Sequence, residues 1–136
     1  MANEALVTTI KSILALTRTG KMDEAYEAYR QLFASPEFST YRPEDQRQAL
    51  RLMVLVKRAK PTPALLEAHR VALGPLTELV SAHADAGDHE LLGVCHVVLG
   101  NEDSARAIFR TGLAIERETN GTSDLCGSLL TRISAL

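Results

Sequence analysis

The residues best suited to chemistry cluster between positions 83 and 96, where His83, Asp85, Asp88, His89, Cys95 and His96 follow one another. The histidines and carboxylates could ligate zinc if a turn folded them together. However, His83 and His89 are six apart and straddle an expected helix break. They lack the HExxH spacing that sets both imidazoles on one helical face. The group reads as polar turn chemistry with no metal site. Cys95 beside His96 raises the case of an activated thiol. Adjacent helical residues point about 100° apart, and Cys95 falls on an apolar stripe where it packs as a small hydrophobe. Around Gly20, the run Thr17 to Lys21 lacks the preceding strand and the second glycine of a phosphate loop. Asp23, Glu24 and Glu27 open a helix, where they complement its dipole and need not form a paired-carboxylate site. No catalytic residue emerges and no cofactor is implied, so the chain reads as non-enzymatic.

Binding chemistry is more visible. Residues 42 to 60 hold six of the fifteen basic residues against two acids, whereas from 61 onward ten acids face five bases. Arg47, Arg51 and Arg58 stand at i, i+4 and i+11 with Lys57 alongside, roughly one face of a helix. Arginine forks take carboxylates in bidentate fashion, which favours an acidic peptide or C-terminus as partner. The competing reading is a solvated face paired with neighbouring acids. Phe38 and Tyr41 look exposed in a polar loop from Pro36 to Tyr41. They join Arg47, Arg51, Lys57 and Arg58 as candidate partner-binding residues. The net charge of −2 excludes a general nucleic-acid binder, which needs a basic excess to displace counterions from phosphates.

The elements that must position these residues are helical. Hydrophobic residues make up 46% of the chain but aromatic residues only 4%, so the apolar content is mainly Ala, Leu and Val, which suits packed helices over sheets. Residues 1–136 are expected to form one all-α domain. A first helix spans about Asn3 to Arg18. Its apolar run is broken by Thr8, Thr9, Lys11 and Ser12 and has no basic leader, so it is amphipathic and not a signal or membrane segment. Gly20 ends it, and a second helix runs to Pro36. A third runs from Pro43 to about Ala59, with Ala49, Leu50 and the run Leu52 to Val56 making it the most apolar. A fourth starts at Pro63 and is expected to break at Gly74–Pro75, because proline removes a backbone bond and clashes with the preceding turn. A short helix then leads to Asp85. Cys95 and Cys126 lack a paired spacing, which argues against a disulfide framework and for a reducing, cytoplasmic location.

Residues 89–113 carry the sharpest pattern. Leu91, Leu92, Cys95, Val98 and Leu99 form one stripe, Gly100 stops it, and Ala105, Ile108, Phe109 and Leu113 form the next. Leu92, Gly93 and the ring of His96, followed by Ala105 and Phe109 four apart, resemble the tetratricopeptide repeat. Gly20, Ala25, Tyr29 and Pro36 resemble the second half of another such repeat. The two turns lie 80 residues apart, roughly twelve more than two periods of about 34. The resemblance implies antiparallel helix hairpins stacked as a short TPR-like right-handed solenoid. It would hold about three irregular repeats (about 3–36, 43–75 and 76–118) and a C-terminal capping helix (about 122–135) with a polar outer face of Ser128, Thr131, Arg132 and Ser134. It also implies a binding scaffold whose first helices line a groove. The Lys and Asn pattern of the family's carboxylate-clamp members is absent.

The leading expectation is therefore a protein-protein interaction module that holds a segment of a partner protein, with no nucleic acid, membrane or metal involved. The alternative is a structural or oligomeric subunit or adaptor of a larger assembly, a homo-oligomer included, packed through the Phe38 loop or the last helix. A metal-dependent regulator or enzyme comes third.

Overall fold

The computed structural model describes residues 3–56 and 60–136. Among these, seven α-helices account for most of the chain and no strand occurs: α1 Glu4–Arg18, α2 Met22–Ala34, α3 Pro43–Val54, α4 Pro63–Ala82, α5 Ala86–Val98, α6 Glu102–Asn120 and α7 Asp124–Ser134. Two compact units make up the chain, Met1–Pro75 and Leu76–Leu136.

Local chemistry sets the helix ends. The Asn3 side chain accepts from the amides of Ala5 and Leu6 at 2.9 and 3.2 Å, which satisfies two otherwise orphan donors of α1. Asp85 and Ser123 do the same for α5 and α7, accepting from the Asp88 and Cys126 amides. Gly20 and Gly100, just past α1 and α5, adopt φ of +78° and +82°. Only glycine takes this left-handed conformation at no steric cost, which is why both hairpins turn there. Pro43 occupies the first turn of α3, where its missing N–H has no partner to lose. That helix stops at Val54, about a turn before the expected end near Ala59.

In the first unit, four rings build a continuous aromatic chain. Tyr29 stacks on Phe33 at 5.7 Å between centroids, and Phe38 meets Phe33 edge-on at 5.2 Å and Tyr41 at 5.9 Å. The sequence presents Phe38 as an exposed loop residue, and the structure overturns this. Phe38–Thr40 forms a turn of 3-10 helix that folds the ring inward to 1% exposure. Tyr41 is half-buried against it. Gln46 fixes the loop by donating from its side-chain amide to the Tyr41 carbonyl at 2.8 Å.

Tyr29 is 3% exposed, and burial, reinforced by nearby Tyr26, pushes its phenol up to about 12. Its neutral form is favoured in the folded chain, so this contribution is fully present below the unfolded value near 10 and is lost as pH rises towards about 12. A rise from near 10 to about 12 corresponds to about 3 kcal/mol. Denaturation midpoints should fall across that window in the parent and much less in Tyr29→Phe. An equal fall in both would show that Tyr29 ionises as freely folded as unfolded.

Gly74–Pro75 does not break the chain, contrary to expectation. Helix α4 runs through it, so the separate short helix from Pro75 to Asp85 does not exist. Proline inside a helix costs about 3 kcal/mol. Two features offset this. Buried Leu65, Ala68, Ala72, Leu76 and Leu79 stay in helical phase across the proline. Gly74 also has no Cβ to clash with the proline ring, the contact that usually drives the preceding residue out of helical conformation.

In the second unit, α5 and α6 approach at two glycines. A Cβ on Gly93 would lie 2.2 Å from a ring carbon of Phe109, and one on Gly112 would lie 2.7 Å from the His89 Cβ. Ala105 and Phe109 are fully buried. The outer face expected of the last helix is only partly solvated. Arg132 Nε donates to the Glu90 carboxylate at 2.9 Å, and the Ser128 hydroxyl donates to the same oxygen. Glu90 is 9% exposed, and a carboxylate so buried requires such partners.

Candidate functional site

Among the described residues, five of the seven exposed large apolar side chains, Val7, Met22, Leu52, Leu55 and Val56, belong to the first unit. In α1 the Asn3 cap sets a phase that turns Leu6 and Ile13 into the core, leaving Val7 exposed and Ile10 half-buried on the shoulder. In α3, Ala49, Leu50, Met53 and Val54 face inward. Leu52 remains exposed, as do Leu55 and Val56 just beyond the helix end.

A groove of about 580 Å³ lies between these shoulders. Buried Leu6 and Ala49 form its floor, and Val7, Ile10, Leu52, Leu55 and Val56 form its walls. Leu52 and Val56 also line a smaller cleft of 80 Å³ shared with Met22 and Tyr26 of α2, so the apolar surface continues past the groove. Contiguous exposed apolar surface of this kind is characteristic of interaction sites.

Charge at the groove is predominantly positive. Lys11, Asp45, Gln48 and Arg51 complete the lining. Asp45 is buried and accepts from the Arg42 guanidinium at 3.2 and 3.4 Å, so its charge is largely offset. That hydrogen bond and the carboxylate's charge push the Arg42 guanidinium still higher than its ordinary value. Lys11 and Arg51 form no ion pair among the described residues.

The sequence-predicted residues divide. Arg51 lines the apolar groove and also an adjoining polar recess of 460 Å³, which it shares with Arg42, Glu44, Arg47 and Gln48. Arg47 lies in that recess and is half-buried. Lys57 and Arg58 lie outside the described residues. Phe38 belongs to the core, so its ring is not available to a partner in this conformation, while Pro36, Glu37, Ser39 and Thr40 of the same loop are exposed. Sequence reasoning missed Val7, Ile10, Leu52, Leu55 and Val56 as surface residues. A signal existed: seven of the eight residues from 49 to 56 are apolar, more than one face of a helix can bury.

The histidine-rich stretch does not converge. His83 is exposed after α4, while Asp88 and His89 are buried in the first turn of α5, with His89 Nδ1 2.9 Å from the Asp85 carbonyl. His96, in the last turn of α5, sits 3.2 Å from the Asn101 side-chain nitrogen, and partial burial lowers its pKa. Among the described residues, no three His, Cys, Asp or Glu side chains gather as a ligand set. Cys95 and Cys126 are buried free thiols. No described helix is long and apolar enough to cross a membrane. Compared with family models, curated proteins and solved structures, the chain matches none.

Proposed function

We propose that this chain is a non-enzymatic protein-protein interaction module that holds a segment of a partner protein in the groove between α1 and α3. The observation that carries this reading is the run of exposed apolar walls, Val7, Leu52, Leu55 and Val56, above a buried floor. Covering such a wall removes apolar surface from water, and each large side chain fully buried contributes about 1.5 to 3 kcal/mol. The family resemblance supports the same reading, with α1 and α3 as first helices of successive irregular TPR-like hairpins in a right-handed solenoid capped by α7. Buried thiols not joined in a disulfide fit a cytoplasmic protein.

The test is copurification from native lysate with the parent chain and with Val7→Gln/Leu55→Gln, which removes apolar walls without changing charge. Both residues are exposed, so stability should change by no more than about 0.5 kcal/mol at either. The variant should lose, or hold more than tenfold more weakly, the proteins retained by the parent. An identical set retained at equal strength by both would discard the groove as the binding site.

A further inference from the structure

We infer that the segment seated between α1 and α3 is an amphipathic α-helix flanked by carboxylates, an inference that rests on the groove being the binding site. Backbone chemistry argues for a helix. Apart from Leu55 and Val56, the groove is walled by residues of α1 and α3, whose amides and carbonyls are largely bonded within each helix, and the described residues contain no strand edge. An extended segment would bring unpaired N–H and C=O groups against Leu6, Val7, Ile10, Leu52, Leu55 and Val56, where burial without partners is costly. A helix arrives with those groups already satisfied. A polyproline segment fits no better, because such segments dock on aromatic grooves and no aromatic side chain among the described residues lines this one.

The dimensions agree. On α3 the lining runs from Asp45 to Leu52, seven helical steps or roughly 10 Å, and Leu55 and Val56 extend it past the helix end. Apolar anchors at i, i+4 and i+7 of a guest helix span about 10 Å and fit within that length. Charge selects the flank. Lys11 on one wall and Arg51 on the other carry the positive charge, while Asp45 is already held by Arg42. Carboxylates beside the apolar anchors would meet both cations, whereas lysines or arginines there would be repelled.

Selection from a displayed library of random 15-residue peptides tests this, followed by fluorescence anisotropy and circular dichroism on the synthesised winners. The expected winners carry three apolar residues at helical spacing and an excess of Asp and Glu, and gain helicity on binding. They should bind Val7→Gln/Leu55→Gln more than tenfold more weakly. In Lys11→Glu/Arg51→Glu, the acidic winners should likewise lose more than tenfold, while versions with Lys in place of Glu should gain. Winners that compete for the groove but are extended, proline-rich, neutral or basic would overturn the inference and leave the groove standing as the binding site. No winners, or winners indifferent to Val7→Gln/Leu55→Gln, would overturn both. Self-association of the parent, abolished by that double variant, would identify a second copy as the occupant and likewise overturn the acidic helix.

Discussion

Phe38→Ala should destabilise the first unit by about 3 to 5 kcal/mol, the range for deleting a fully buried phenylalanine. The ring is 1% exposed and lies edge-on to both Phe33 and Tyr41. Its removal therefore loses transferred area, two aromatic contacts and the filling of the space they enclose. The short 3-10 turn has few other side chains with which to collapse into that space. A surface aromatic would behave differently, since its truncation changes stability by no more than about 0.5 kcal/mol. The two outcomes are at least about sixfold apart in energy, which chemical denaturation resolves easily. A midpoint at the parent's value would return Phe38 to the surface and restore it as a candidate contact residue.

That misplacement shows what the sequence lacks. Phe38 sits among Pro, Glu, Ser and Thr, a composition typical of loops, and no periodicity marks a single aromatic as core. Its burial depends on Phe33 and Tyr41 meeting it in space, a tertiary fact. The same limit hides the groove. The apolar residues of α3 are plain in the sequence, but which half faces the core depends on where neighbouring helices lie. The split between Ala49, Leu50, Met53, Val54 and Leu52, Leu55, Val56 follows from that placement. Arg51 stands out in the sequence because charge is legible without a fold, whereas the apolar residues beside it read as core.

Other features were readable because their causes are local. Gly20 and Gly100 mark helix ends through a backbone conformation that other residues avoid. At Gly74–Pro75 a local rule misleads. The proline rule treats the residue in isolation, while the stripe from Leu65 to Leu79 continues through it in phase, and burial of that stripe prevails. Ser128 and Arg132 mislead in the opposite sense. They look like solvent-facing polar residues until Glu90, some 40 positions earlier, arrives as their partner.

Gly93→Ala and Gly127→Ala are chemically the same substitution in the interior of a helix, and they should move stability in opposite directions. Alanine is favoured over glycine in a helix by about 1 kcal/mol, so at Gly127, where nothing lies within 4 Å of the new Cβ, the change should stabilise by up to that amount. At Gly93 the Cβ would fall 2.2, 2.5 and 2.8 Å from three ring carbons of Phe109. The ring is fully buried, and the close contact of Gly112 with His89 pins the same helix pair at a second point. Relief by separating α5 from α6 would therefore open both contacts. Overpacking costs about 1 to 3 kcal/mol and occasionally more. The rigid, enclosed ring places this case at the upper end, so about 2 kcal/mol of net destabilisation should remain after the helix gain. Denaturation should separate the two variants by about 3 kcal/mol. Combining Gly93→Ala with Phe109→Leu should cost less than the sum of the two single changes, because the smaller side chain vacates part of the space that the methyl needs. Strict additivity, or a Gly93→Ala variant as stable as the parent, would mean that α5 and α6 do not meet at this glycine.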